Sequence, residues 1–320
     1  MTMEPAQVAQ VLAHLSQTIG RVVMGSEENL RHAFVAFMVR GHVLMEGVPG
    51  TGKTFLARCF ARCLGLDMRR VQCTPDLMPG DVVGANVFDF KTQTFTLTKG
   101  PVFTEFLLTD EINRTPPKTQ SALLEAMQER SVTIDGVTHP LSSRFMVVAT
   151  QNPVEHEGTY PLPEAQLDRF LFKLEVGYPD EAQETNAVIA HCGSSGTPDL
   201  DELGLRPMFD GAQVDALRMV PATVHLDPMI ARYAVHLARA TREHPSLAVG
   251  LSPRAATMLA AAARAHAACD GRNYVVPDDV KALFLPVARH RVIITPAAEM
   301  EDLRADTIVQ QIAAQVPAPR

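Results

Sequence analysis

The chain has no tryptophan, no surplus of basic charge and no paired set of metal-ligating cysteines. It also lacks the run of about 18 uninterrupted apolar residues that a membrane-spanning helix requires. Each gap closes a class of function. The opening residues, Met1-Thr2-Met3-Glu4-Pro5, show no basic, apolar and small-residue export pattern, so a cytoplasmic location is expected. Lysine and arginine number 29 against 36 aspartates and glutamates, a formal net charge of −7. That is the wrong sign for a broad surface that grips phosphate backbones, and it leaves nucleic acid only a locally basic surface such as a ring's pore. Of five cysteines, Cys59 and Cys63 stand four apart on one expected helix and Cys73 follows in the next expected strand. The closing pair of ligands that zinc spacing needs is missing, so buried apolar thiols are expected. Eleven histidines form no H-E-x-x-H or similar cluster, and none is assigned to a metal. Neither an internal repeat nor a low-complexity tract is present.

What remains is an ordinary globular composition, 46% hydrophobic and 20% charged. At 320 residues the chain is long enough to bury about three quarters of its unfolded surface, and it exceeds one comfortable core. Two domains are expected.

The most specific feature is an ordered pair of motifs. Gly47-Val48-Pro49-Gly50-Thr51-Gly52-Lys53-Thr54 fits G-x-x-x-x-G-K-[ST] and lies between an apolar run, His42 to Glu46, and a helical pattern from Phe55 to Leu64. Strand, glycine loop, helix is the order in which backbone N–H groups and a helix's positive end can face phosphates. Lys53 supplies a point charge for the outer phosphates, and the Thr54 hydroxyl can ligate Mg²⁺. A plain glycine turn between strand and helix is the structural alternative. The second motif, Leu107-Leu108-Thr109-Asp110-Glu111, puts two carboxylates at a strand tip. Adjacent residues on an extended tip point in different directions. Asp110 is therefore placed to hold the Mg²⁺ shell and Glu111 to orient and deprotonate an attacking water. Together the motifs imply an ATP hydrolase.

Helical spacing of Val8, Val11, Leu12, Leu15 and Ile19, then of Leu30, Phe34, Phe37 and Met38, predicts two helices between Pro5 and Arg40. Five apolar strands follow: 43–46, 70–73, 106–109, 145–150 and 170–176. Strands alternating with helices imply an α/β parallel sheet. Two β-hairpins interrupt it, one over 86–97 with Lys91-Thr92-Gln93 at its tip and one over 131–138 turning at Asp135-Gly136. Residues 181–222 are expected to be a linker or loop region, with the small polar stretch His191 to Pro198 inside it. From 223 to 320 a helical domain is expected, its helices starting at Asp227-Pro228, Ser252-Pro253 and Pro277.

Three further residues join the phosphate machinery. Asn152 follows the fourth apolar strand and would reach the water or terminal phosphate if that strand lies between the two motif-bearing strands. Arg169, near the sheet's far edge, suggests reach into a neighbouring subunit. Arg254, just after Ser252-Pro253, sits in a first helical turn that could face phosphate.

Phosphate loop, Asp-Glu pair, strand-end Asn, late Arg and a helical domain bearing Ser-Pro-Arg together resemble the AAA+ ATPases. Gly100-Pro101-Val102-Phe103, the run Asp110 to Gln120, Leu123-Leu124-Glu125-Ala126-Met127-Gln128-Glu129 and Ala149-Thr150-Gln151-Asn152-Pro153 resemble the MoxR family within them. The likeness runs from about Val22 to Arg291. It implies an α/β P-loop NTPase core (1–180) with a five-stranded sheet of order 5-1-4-3-2, two hairpin inserts and an all-α lid. The first hairpin would be an insert in the core's second helix, the other would precede the sensor strand, and both would face the pore or client side. The resemblance further implies that Val22 and Val23 flank adenine, that Gly47, Pro49, Gly50, Thr51, Gly52, Lys53, Thr54 and Asp110 bind ATP, and that Thr54 and Asp110 bind Mg²⁺. Arg169 would be the arginine finger and Arg254 the lid sensor, with Arg114 a second interface candidate. Family members commonly form hexamers that remodel or mature client proteins or insert metal cofactors, beside a separate partner bearing a von Willebrand factor A domain. The leading expectation is such an oligomeric ATPase. The alternatives are a nucleic-acid motor, which ATPase rates with and without single-stranded DNA would separate, and a motor subunit resembling that of magnesium chelatase.

Overall fold

The structure is a computed structural model that describes residues 3–153, 158–191 and 199–319. Helix α1 (Pro5–Gly20) begins with proline at its first turn and buries Val8, Leu12, Leu15 and Ile19 along one stripe. Helix α2 (Glu27–Met38) carries Glu27 and Glu28 in its first turn, where negative charge complements the helix dipole. Strand β1 (Val43–Glu46), helix α3 (Lys53–Cys63) and strand β2 (Met68–Gln72) follow, then a one-turn helix α4 (Pro79–Val83) and the hairpin β3 (Gly84–Asp89) and β4 (Thr94–Lys99). Next come β5 (Phe106–Asp110), α5 (Pro117–Glu129), the hairpin β6 (Ser131–Ile134) and β7 (Val137–Pro140), β8 (Met146–Gln151), the short α6 (Glu164–Leu167) and β9 (Phe172–Glu175).

Five strands form one parallel sheet in the order β2-β5-β8-β1-β9. Counted as sheet strands alone, this is the 5-1-4-3-2 order that the family resemblance implied. The central strands are apolar at nearly every position, as both faces of the sheet are covered. Successive side chains divide between two cores: Val43, Met45, Phe106, Leu108, Met146 and Val148 join the larger, while Leu44, Leu107, Val147 and Ala149 join the smaller, with α5 and the hairpins. The order reverses between β1 and β8. Open α/β sheets bind ligands at the carboxyl ends of strands at such a switch point.

Both expected hairpins are present. The second turns through Asp135 (φ 48°) and Gly136 (φ 80°), the paired left-handed residues of a type I′ turn. Asn86 Nδ2 donates to Asp135 Oδ2 at 2.7 Å and ties the hairpins together. The first springs from the end of α4. No helix resumes beyond it: residues 100–105 run through turns into β5, with Val102 N–H bonded to the Val82 carbonyl at 3.2 Å.

The remaining elements are α7 (Glu181–His191), α8 (Gly211–Thr223), α9 (Pro228–Glu243), β10 (Leu247–Val249), α10 (Pro253–Cys269), α11 (Pro277–Ala288), β11 (Ile293–Ile294), α12 (Pro296–Met300) and α13 (Ala305–Gln315). Starts at Asp227-Pro228, Ser252-Pro253 and Pro277 hold: the Asp227 carboxylate accepts from Met229 N–H and the Ser252 hydroxyl from Ala255 N–H. Residues 181–222 are a correction. Two helices, α7 and α8, stand where a loop was expected. Helix α8 is started by Asp210, whose carboxylate accepts from Gln213 N–H, a capping pair the sequence displays. Of the small polar stretch, residues 192–198 lie outside the described residues. Helices α1 and α2 pack on α10 and share its apolar core, so the amino-terminal helices join the lid to the sheet.

Candidate active site

Gly47, directly after β1, passes so close to β9's exit that a Cβ there would sit 2.2 Å from the Val176 carbonyl oxygen. Gly50 and Gly52 take φ of 86° and 81°, a region costly to residues with a Cβ, and Gly52 caps α3. The loop therefore wraps around an open space at the helix's positive end. Lys53 is buried and its ammonium reaches into that space, donating to the Gly47 carbonyl at 2.6 Å, the Val48 carbonyl at 2.7 Å and Thr51 Oγ1 at 3.3 Å. Burial lowers its pKa, opposed by the charges of Asp110 and Glu111.

Parallel pairing of β5 beside β8, and β8 beside β1, puts the acidic strand tip one strand away from the loop. Asp110 Oδ1 accepts from Thr54 Oγ1 at 2.7 Å and Thr150 Oγ1 at 3.1 Å, and its Oδ2 accepts from Arg70 Nε at 2.6 Å. Glu111 adopts left-handed φ and ψ of 58° and 52°, a conformation costing a non-glycine residue about 1–3 kcal/mol and concentrated at functional sites. Its amide donates to Thr150 Oγ1 at 3.0 Å, and its Oε2 accepts from Gln72 Nε2 at 3.1 Å and Arg114 Nη1 at 3.3 Å. Asn152 is buried at the end of β8, its carbonyl facing Asn113 Nδ2 at 3.4 Å.

Pro49 to Thr54, Asp110, Glu111 and Asn152 line one cavity of about 770 Å³. A neighbouring cavity of about 660 Å³ is bounded by Val22, Val23, Phe55 and Val176, and shares Gly50, Thr51 and Gly52 with the first. The first cavity is thus lined by the loop, Lys53 and the acidic pair, and the second sets Val22, Val23, Phe55 and Val176 beside Ser26, Glu28, Asn29 and Glu175. Thr54, Asp110 and Thr150 offer only oxygens, a donor set suited to Mg²⁺.

Motif reasoning missed Arg58, Arg70, Gln72 and Thr150, which line the glycine-loop cavity too. Sheet order was the available signal for Arg70 and Gln72, because β2 lies beside β5 and carries them to Asp110 and Glu111.

Arg169 and Arg254 are not in this cavity. They line a separate cleft with Arg40, Gly41, His42 and Leu171, residues that precede β1 and β9, at the sheet's amino edge. Four residues of β1 intervene between that edge and the glycine loop, roughly 13 Å at about 3.3 Å per residue. The Arg169 segment is held from the lid: Arg291 is buried and donates from Nε to Asp168 Oδ1 at 2.7 Å and from Nη2 to the Phe170 carbonyl at 2.5 Å.

The four described cysteines are buried. Burial pushes the Cys59 and Cys269 thiols up to about 12 and those of Cys63 and Cys73 up to about 11.

A parallel sheet of this order, a glycine loop under a helix and a helical lid define an AAA+ nucleotide-binding protein. The family model described as "ATPase family associated with various cellular activities (AAA)" matches residues 42–172, and an AAA lid domain model matches 239–312. Chaperone MoxR1 of Mycobacterium tuberculosis is 39% identical, over 94% of this chain and 81% of its own. YeaC of Bacillus subtilis is 43% identical over 97% and 95%, and a crystal structure from Cytophaga hutchinsonii superposes with a TM-score of 0.89 at 35% identity over 99% and 97%. The chain belongs to the MoxR family of AAA+ ATPases.

Proposed function

We propose that the chain is a Mg²⁺-dependent ATP hydrolase that works as a ring, a hexamer, in the cytoplasm, and converts cleavage into remodelling or maturation of a client protein. The separation of the glycine loop and the Arg169–Arg254 cleft, at opposite edges of one sheet, carries this reading. A protomer holds phosphates at one edge and offers unspent guanidinium charge at the other, so two copies stacked edge to edge complete a site that neither contains alone.

Within that site Lys53 and the loop amides bind the phosphates, and Val22 and Val23 flank the base. Thr54 and Asp110 would hold Mg²⁺, which neutralises phosphate charge when bound. Glu111 accepts a proton from the attacking water, whose position Asn152 helps to fix. Arg169 and Arg254 of the adjoining copy stabilise charge on the terminal phosphate. Client and cofactor handling follow by analogy with the MoxR relatives, and a separate protein with a von Willebrand factor A domain is the expected partner.

The test is ATP-dependent assembly of Glu111→Gln. Sedimentation velocity with ATP and Mg²⁺ is expected to show a ring-sized species that persists while turnover is suppressed. A variant that stays monomeric with bound ATP would remove the shared-site reading.

A further inference from the structure

The cleft holding Arg169 and Arg254 is also lined by Arg40 and Arg130, and no acidic residue is among the described residues lining it. Acidic groups outnumber basic ones 36 to 29 in this chain, so four arginines lining one cleft with no carboxylate is an uneven allotment; Glu125 and Glu129 line the adjoining cavity that Arg169 also borders. Arg130, at the end of α5, donates from Nη1 to the Phe145 carbonyl at 3.1 Å and from Nη2 to the Arg40 carbonyl. Those bonds orient its guanidinium without neutralising it. Burial lowers its pKa, and the charge of Arg40 lowers it further. Arg169 Nη1 donates to the Ala165 carbonyl at 2.9 Å, while its Nε is buried without a partner.

Arg40 follows α2 at a left-handed φ of 60° and is exposed. Its guanidinium, like that of Arg254, makes no hydrogen bond or ion pair among the described residues. Arg254 lies in the first turn of the 17-residue α10, whose amino end adds partial positive charge. The wall is rigid. His42 accepts from Val147 N–H at Nδ1 (2.9 Å) and reaches the Met127 carbonyl from Nε2 (3.1 Å), which sets it as a neutral donor–acceptor bridge. Like charges gathered beside apolar Leu171 and Met258 repel one another, and a polyanion relieves that repulsion.

We infer that this cleft is a single polyphosphate-binding site, in which Arg40 and Arg130 act with Arg169 and Arg254 on the terminal phosphates of a nucleoside triphosphate carried by a second copy of this chain. Only the identity of the anion's carrier rests on the shared-site reading above; the cleft's affinity for polyphosphate does not.

Inorganic tripolyphosphate is the probe, titrated calorimetrically at low ionic strength into full-length Lys53→Ala, whose glycine loop, left with its backbone amides alone, competes at least tenfold more weakly, so that the Arg40-dependent part of the binding reports the cleft. Saturable binding is expected, and adding Arg40→Gln should weaken it about 10- to 100-fold, the worth of one charge-assisted hydrogen bond set. In the otherwise intact chain Arg40→Gln should retain ATP binding at the glycine loop and lose turnover at least tenfold, with Arg40→Lys recovering part of it. Circular dichroism reports that each variant is folded, and retained ATP affinity does so for the Arg40 variants of the otherwise intact chain. No binding to Lys53→Ala, or equal binding with and without Arg40→Gln, overturns the inference. If Arg169→Ala abolishes turnover while Arg40→Gln leaves both tripolyphosphate binding and turnover intact, Arg40 is not part of the site and the shared seam stands. If tripolyphosphate binds through Arg40 but no assembly forms with ATP, the seam reading fails and the anion site stands.

Discussion

At the scale of single residues, the site is a set of charges held in place by one another. Lys53 is held by carbonyls of its own loop, and Asp110 accepts from Thr54, Thr150 and Arg70. Nucleotide and Mg²⁺ must exchange for these contacts. Lys53→Ala should lower ATP affinity by at least tenfold in calorimetry, since the charge is lost from a buried position; unchanged affinity would remove the loop assignment. Arg70 would compete with Mg²⁺ for Asp110 in the proposed site, although its side chain is 52% exposed. Solvent screening therefore keeps the effect small: Arg70→Met should reduce the Mg²⁺ concentration at half-maximal turnover about two- to fivefold. A higher Mg²⁺ requirement would make Arg70 a support of the metal site instead. The motif residues were legible because their chemistry fixes type and spacing together. Arg70 and Gln72 were not, because they become neighbours of the acidic pair only through strand order.

At the scale of elements, the lid reaches back to the sheet through Arg291, which bonds the backbone and side chain of the segment ahead of β9. Removing the buried guanidinium leaves the Phe170 and Leu171 carbonyls unpaired, at about 1–3 kcal/mol, while Asp168 is partly exposed and can be hydrated. Arg291→Ala should lower stability by that amount in urea unfolding and loosen Arg169, so that turnover falls more than ATP affinity does. Equal losses of both would show damage to the whole fold. Element positions in the sheet were readable from apolar runs bounded by turn residues, to within two residues for all five strands. Helix α7 was missed for a physical reason: Glu181, Glu184, Val188 and Ile189 are exposed, so no apolar stripe marks it. Helix α8 did show its start, at Asp210 and Gln213, but Pro221 inside the helix reads as a loop signal.

The whole molecule is tuned by three buried histidines that meet strand starts. His42 precedes β1, His32 packs edge-on against Phe172 in β9, and His290 Nε2 lies 3.0 Å from the Phe170 carbonyl. Burial is the main cause that lowers their pKa, to about 4 for His32, about 3 for His42 and well below 6.5 for His290. In the unfolded chain they take up protons near 6.5, so between there and about 4 the unfolded state binds more protons. Their contribution is complete above pH 6.5 and is lost as pH falls through that window, at about 1.4 kcal/mol per pH unit for each. The urea midpoint should therefore drop steadily from pH 7 to pH 5, above the range where exposed carboxylates titrate. A flat midpoint would mean that these rings are solvated.

In the proposed shared site, hydrolysis needs the carboxyl edge of one protomer and the amino edge of another. Subunit mixing tests this: Lys53→Ala keeps its arginines and lacks the loop charge, while Arg169→Ala keeps the loop and lacks the proposed finger. Steady-state ATP turnover of mixtures should rise above the sum of the two inactive proteins and peak at an intermediate ratio. Turnover that stays at that sum across all ratios, with assembly verified in the same samples, would contradict it.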